Sequence, residues 1–170
     1  MRIKGKVLRV FPRDTNTDEV ISGKYKYDEL DLKKLAVHAF EAIDPSFYID
    51  AQRMENPILI ADKNFGCGSS REQAAQVIKA CGITCIIAES FARIFYRNAF
   101  NIGLPLVECR GIALRVKQGD ELEIDFDMGI IKNLNRNENY RFKPIPKFMQ
   151  ALLNSGGLIP YLLKQGQYNF

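Results

Sequence analysis

Apolar and polar residues alternate from the start of the chain. Ile3, Val7 and Val10 stand among Lys and Arg over residues 2–11, the period of a strand with one face turned to a core. A loop, FPRDTNTDE, follows and is rich in Asp, Thr and Asn. Beyond it Leu32, Leu35, Ala36, Ala39, Phe40 and Ile43 recur at three- and four-residue spacing, which predicts a helix stopped by Asp44-Pro45. His38 lies off that stripe and is expected to face solvent rather than to catalyse.

The middle of the chain switches period. Residues 57–61 and 83–88 are short apolar runs, 104–107 is a third, and 70–80 and 91–101 between them read as helices, the second capped by Ser90. Apolar strands alternating with helices imply a partly parallel, buried sheet. Gln118-Gly119-Asp120 is a turn signal, 121–126 alternates as a strand, and Met128-Gly129 turns the chain into a return strand at Ile130-Ile131. The polar stretch 133–141 reads as a hairpin tip or loop. Ser155-Gly156-Gly157 divides two short helices, 147–153 and 158–163. The fold class is α/β, a mixed and partly parallel sheet with flanking helices. With no repeat, low-complexity segment or linker, residues 1–170 read as one domain.

Composition narrows the class. The chain has 170 residues, 46% hydrophobic and 26% charged, which is globular rather than disordered. Charged residues interrupt every apolar run, so none reaches the roughly 20 residues of a membrane span. The basic, alternating N-terminus has no signal-peptide core, and the expected location is the cytoplasm. Lys and Arg number 24 against 20 Asp and Glu, a net charge of +4. That excess is too small and too scattered to argue for nucleic acid. Cys67, Cys81, Cys85 and Cys109 contain no C-x-x-C pair, and His38 is the only histidine, so no metal site is expected. Cys81, Cys85 and Cys109 sit in apolar runs as reduced, buried thiols.

The strongest chemical signal is Asn64-Phe65-Gly66-Cys67-Gly68-Ser69-Ser70-Arg71-Glu72, between a strand and a helix. Gly66 and Gly68 permit backbone angles and close approach that a side chain would forbid. Ser69 or Ser70 can cap the helix, leaving N–H groups that favour an anion, and Arg71 adds a planar fork suited to a carboxylate. The same pattern also serves capping alone. No G-K-[ST], G-x-G-x-x-G or G-x-S-x-G spacing is present, and one histidine off this helix gives little support to a Ser-His-Asp triad.

KNFGCGSSREQA (63–74), AESFARIFYRNAFNIGLPLVEC (88–109), NTDE (16–19) and GGLIPYL (156–162) together resemble the small subunits of 3-isopropylmalate dehydratase and homoaconitase, the mobile domain of the aconitase superfamily. The resemblance runs over nearly the whole chain in order. It implies the swivelling β/β/α fold and dehydration followed by rehydration at the neighbouring carbon of a small di- or tricarboxylate. It implies a [4Fe-4S] cluster carried by a large-subunit partner, with none bound by this chain, the open iron holding the substrate hydroxyl and carboxylate. By the same resemblance Ser69 is the base that takes a proton from substrate carbon, Ser70 and Arg71 bind carboxylate, and Asp18 belongs to the active site.

The match weakens in Gly23-Lys24-Tyr25-Lys26-Tyr27-Asp28. Family members that favour isopropylmalate carry an apolar pair after the tyrosine, whereas homoaconitases place an arginine there. Tyr25, Lys24 and Lys26 are therefore candidate substrate-binding residues, the lysines either pairing a third carboxylate or lying solvated. Arg93 and Arg97, four apart on one helix, either face substrate or partner or are structural. Beside the isopropylmalate reading stand a homoaconitate- or dimethylmalate-type dehydratase and, from another class, an RNA-binding or regulatory module, against which the chain shows no dense basic stripe and an intact G-S-S-R.

Overall fold

The computed structural model describes residues 1–25, 31–69 and 71–166. Two of the candidate site residues, Lys26 and Ser70, lie outside the described residues.

The first strand, β1 (Arg2–Phe11), is central. On one side it pairs in parallel with β2 (Pro57–Ala61), which leads on to β3 (Cys85–Ala88) and β4 (Leu106–Glu108). On the other side it pairs antiparallel with β5 (Glu121–Asp125), followed by β6 (Ile130–Asn133) and β7 (Glu138–Arg141). Among the described residues the seven strands form one mixed sheet, in the order β4-β3-β2-β1-β5-β6-β7. Every residue of β2 and β3 is buried, as parallel strands covered on both faces require. In β5 burial alternates at first, the mark of a strand with one wetter face.

Helices link and cover the strands. In chain order they are α1 (Thr17–Val20), α2 (Leu32–Ala36), α3 (Phe47–Arg53), α4 (Glu72–Ala80), α5 (Arg93–Asn101), α6 (Ile112–Arg115), α7 (Lys147–Ser155) and α8 (Leu158–Lys164). Helix α4 packs against α2 and α5, while α6 lies against β2 and β3. Cys81, Cys85 and Cys109 are buried, and desolvation pushes the Cys81 thiol up to about 12 and the Cys85 thiol higher still.

Several expected elements differ. The helix expected to run to Ile43 ends at Ala36 because Phe40 adopts φ 55° and donates its N–H to Val20 O at 2.9 Å. This tertiary bond, and the Phe40 ring stacked on Phe11 at 4.5 Å, prevail over helical periodicity. Ser90 does not cap α5. Its hydroxyl accepts the Asn64 N–H instead, and Ala92 is the N-cap residue. The polar stretch 133–141 supplies β7, whose Tyr140 is buried while its neighbours are exposed. Within the loop expected before residue 20 lies α1, and α3 and α6 are further short helices that the sequence pattern does not announce.

Phe40 is fully buried and contacts both Phe11 and Phe47. Phe40→Ala is expected to destabilise the fold by about 3–5 kcal/mol. A urea midpoint equal to that of the parent chain would remove this ring from the account of the core.

Candidate functional site

Because β1, β2 and β3 are parallel, the loops that leave their carboxyl ends emerge side by side. Their pairing continues past the strands as two isolated parallel bridges, Asn16 with Cys67 and Phe65 with Phe91. Asp14 N–H donates to Lys63 O at 2.9 Å and Gly66 N–H to Thr15 O at 2.8 Å. On the other flank Phe65 N–H donates to Ser90 O at 3.1 Å, and Ala92 N–H donates back to Phe65 O at 2.9 Å. The glycine-serine loop is thus braced on both sides by backbone.

Phe65 anchors this loop from below, edge-on to Phe95 at 5.3 Å and to Phe91 at 6.3 Å. The next residue, Gly66, has φ 79°, and a Cβ there would stand 2.3 Å from Phe95 Cγ. Only glycine allows the loop to lie this close to α5.

A reciprocal capping box fixes α1. Asn16 Oδ1 accepts the N–H groups of Asp18 and Glu19 at 2.9 and 3.0 Å, and Glu19 Oε2 accepts the Asn16 N–H at 2.7 Å. Thr17 joins this turn to the glycine-serine loop, donating its N–H to Cys67 O at 2.9 Å and its hydroxyl to Ser69 O at 2.8 Å. Asp18 is thereby aimed at Arg71, and its Oδ1 lies 2.6 Å from Arg71 Nη2. Arg71 Nη1 donates to Ile21 O at 3.1 Å. Its Nε is buried without a hydrogen-bond partner, and the side chain is 15% exposed. Gly23 sits against the fork, and a Cβ there would be 3.4 Å from Nη2.

Ser69 is not the N-cap residue of α4. Arg71 is the N-cap residue, in an extended conformation with its N–H donated to Ser69 O at 2.8 Å. The Arg71 side chain makes no capping hydrogen bond, so among the described residues no side chain caps the first turn of α4. Ser69 is exposed and opens, with Arg71, Thr17 and Gly68, onto a cleft of about 180 Å³ that Arg93 and Phe95 close from α5. Arg97 is exposed and does not line that cleft. Burial and the nearby Asp14 and Glu19 charges push the Cys67 thiol up, so it is no activated nucleophile.

A second chamber, of about 300 Å³, opens on the far side of Asp18 and is bordered by Lys24, Tyr25, His38 and Glu41. His38 is half-buried rather than solvent-facing, with its ring stacked on Tyr25 at 3.9 Å. Lys24 Nζ stands 4.7 Å from the Tyr25 ring centroid. Of the candidates, Ser69 and Arg71 line the cleft, and Asp18, Lys24 and Tyr25 line the chamber, with Asp18 joined to Arg71 by their ion pair. Sequence reading passed over Glu41. Its spacing from His38 puts the two on one helical turn, but nothing local points to Tyr25. The larger open groove, about 820 Å³ and lined by Lys6, Arg53, Asn56 and Gln118, sits at the amino end of β2 and shares no residue with the loop.

The cysteines do not suit an iron-sulfur cluster. Three of the four are buried on separate elements, and among the described residues no three Cys, His, Asp or Glu side chains group to hold a metal ion.

Residues 11–110 match the family of the aconitase C-terminal domain. The 3-isopropylmalate dehydratase small subunit of Clostridium botulinum is 47% identical over 162 residues, 95% of this chain and 98% of the relative. The isopropylmalate/citramalate isomerase small subunit of Methanocaldococcus jannaschii is 46% identical over 96% of this chain and 95% of its own. Among solved structures, 3-isopropylmalate dehydratase from Methanocaldococcus jannaschii superposes with a TM-score of 0.88 at 40% identity, covering 98% of this chain and 96% of that one.

Gly66→Ala adds a Cβ to a left-handed residue against an aromatic ring and is expected to cost about 1–3 kcal/mol. Denaturant unfolding reads this directly. A parental midpoint would mean that the loop does not depend on its contact with Phe95.

Proposed function

Since the chain belongs to the aconitase C-terminal domain family, we propose that it is the small subunit of a 3-isopropylmalate dehydratase. This hydro-lyase interconverts 2-isopropylmalate and 3-isopropylmalate in leucine biosynthesis, by loss and re-addition of water. The observation that carries the reading is the 47% identity to a relative of that name, over 95% of this chain and 98% of the relative. The name of the Methanocaldococcus jannaschii relative favours a second substrate, citramalate, which has the same dicarboxylate core and a methyl group in place of isopropyl. Homoaconitate, dimethylmalate and an RNA-binding role have no such support. We take residues 1–170 as one swivelling domain that closes on a large subunit. Among the described residues no helix is long and apolar enough to cross a membrane, and the proposed location is the cytoplasm.

In this reading Ser69 Oγ takes the proton from the carbon next to the one bearing the hydroxyl. The C–H electrons form the double bond as the C–O bond breaks, the hydroxyl leaving as water with a proton from an acid assigned in this proposal to the large subunit. On re-addition water gives its hydroxyl to the neighbouring carbon and its proton to that acid, while Ser69 returns its proton to the carbon that first bore the hydroxyl. Serine is a poor base in water, so the step needs electrostatic help. The Arg71 charge and the amino end of α4 supply it next to Ser69, most strongly once water is excluded. Arg71 also takes a substrate carboxylate. Its Nη1 and Nη2 are held by Ile21 O and Asp18, while the unpartnered Nε–H supports a role for a further acceptor. Ser70 shares that carboxylate in the proposal. Asp18 holds the fork in position, and Tyr25, Lys24 and Lys26 belong to the substituent side of the substrate.

The [4Fe-4S] cluster is assigned to the large subunit, where it would activate the leaving hydroxyl. No step is derived through it from this chain, whose thiols do not form its ligand set.

The test is co-expression with the large subunit and anaerobic cluster reconstitution, followed by hydration of isopropylmaleate, citraconate, cis-homoaconitate and dimethylmaleate. Isopropylmaleate is expected to be hydrated, and its inertness would overturn the assignment. Ser69→Ala is expected to lower turnover by at least ~10²-fold while the subunits still co-purify. Near-parental turnover would remove Ser69 as the base. Arg71→Lys keeps the charge but loses the planar fork, and is expected to raise KM more than it lowers kcat. An unchanged KM would argue against carboxylate recognition by Arg71.

A further inference from the structure

Two arginines line the cleft beside Ser69, one from each flanking helix. Arg71 is the N-cap residue of α4, and Arg93 is the first residue of α5. Helical side chains lean toward the amino end, so a long side chain at the first position reaches past the end of its helix, here over the glycine-serine loop. Backbone contacts hold the start of α5 against that loop. Ala92 N–H donates to Phe65 O at 2.9 Å, and Gly66 lies so close to the Phe95 ring that no Cβ fits between them.

The two guanidinium groups differ in what they have left to give. Arg71 is largely buried, with Nη2 2.6 Å from Asp18 Oδ1 and Nη1 donating to Ile21 O. Arg93 is exposed, and among the described residues its side chain has no ion pair or hydrogen bond. Its place works against the helix that carries it. A cation in the first turn opposes the dipole, Ala92 offers no polar side chain as a cap, and no acidic residue of that turn offsets the charge. An anion in the cleft turns that opposition into attraction, because it meets both Arg93 and the amino end of α5. Arg97, one turn further along the same helix, is exposed too but does not line the cleft.

We propose that Arg93 is a second carboxylate-binding residue of this cleft, gripping the substrate carboxylate that Arg71 receives. This rests on the hydro-lyase reading above and deepens it. A carboxylate presents about four lone-pair sites, more than a fork already engaged at both Nη atoms satisfies. A cleft of about 180 Å³ has room for one carboxylate arm, so both cations meet the same group. Arg71 orients that group through its fixed planar fork. Arg93 acts through charge, and its exposed side chain can follow the carboxylate as the subunits close.

The experiment measures KM and kcat for isopropylmaleate, with co-purification of the subunits, in the reconstituted two-subunit enzyme carrying parental, Arg93→Gln, Arg93→Lys or Arg97→Gln small subunit. Arg93→Gln is expected to raise KM by at least about tenfold and to leave kcat within about threefold, since the carboxylate is held in substrate and transition state alike. Arg93→Lys keeps the charge and is expected to stay within about threefold of the parental KM, unlike Arg71→Lys. Arg97→Gln is expected to leave KM at the parental value. An unmoved KM in Arg93→Gln, or a rise of equal size in Arg97→Gln or Arg93→Lys, would overturn the inference alone. Loss of co-purification in Arg93→Gln would do the same, by assigning Arg93 to the surface that meets the large subunit. A parental enzyme inert toward isopropylmaleate would overturn the functional reading and this inference with it.

Discussion

The parallel pairing of β1 with β2 is the constraint from which the site follows. Parallel neighbours release their chains at the same end of the sheet, so residues 12–17 and 62–67 run alongside each other. Asp18, seven residues beyond β1, and Arg71, ten residues beyond β2, can then form a 2.6 Å ion pair across 53 positions of sequence. Had β1 met β2 antiparallel, the two loops would lie at opposite ends. The site occupies the usual place for an α/β sheet, outside the carboxyl ends of parallel strands next to the point where strand direction changes. Here that change occurs across β1 itself, parallel to β2 on one side and antiparallel to β5 on the other.

The strands were legible wherever burial imposed a simple period. Residues 57–61 appear in sequence as an unbroken apolar run and form β2, buried throughout. The helix expected over 32–43 shows where such reasoning stops. Its apolar spacing is real, and Leu35, Ala36, Ala39 and Phe40 are all buried, but Phe40 reaches the core through a left-handed turn. Periodicity reports which side chains go inside and leaves open the backbone that carries them there. Short helices fixed by caps escape the period altogether, and α1 is set by Asn16 and Glu19 rather than by an apolar stripe.

The site was half legible for a related reason. The glycines, serine and arginine of residues 66–71 are local, and local chemistry can be read in order along the chain. The partners of those residues are tertiary. Nothing near Arg71 announces Asp18 or the carbonyl of Ile21, and nothing near Tyr25 announces Glu41, sixteen positions on. Ser90, which reads as a helix cap, spends its hydroxyl on the loop at Asn64 because the two loops are neighbours in space. Competition between a local and a tertiary acceptor is invisible until the sheet order is known.

Asp18 resolves a difficulty that a largely buried arginine creates for any chain that must fold before it meets a ligand. Arg71 is largely buried, and a buried guanidinium with no counter-charge would be costly. The Asp18 carboxylate supplies that charge, and Ile21 O takes a second N–H, so the fork is oriented before anything binds. In the proposed role the cost of this preorganisation is competition, since a carboxylate bound by Arg71 would share the fork with Asp18 or use the donors Asp18 leaves, of which Nε–H is one. Ser69 stands differently, exposed beside the same fork, where bulk water would weaken every electrostatic contribution to its basicity. One side chain of the proposed pair is therefore finished within this chain and the other is not. That asymmetry is what the site should show if closure against a second surface completes the proton transfer while carboxylate recognition is built in from the start.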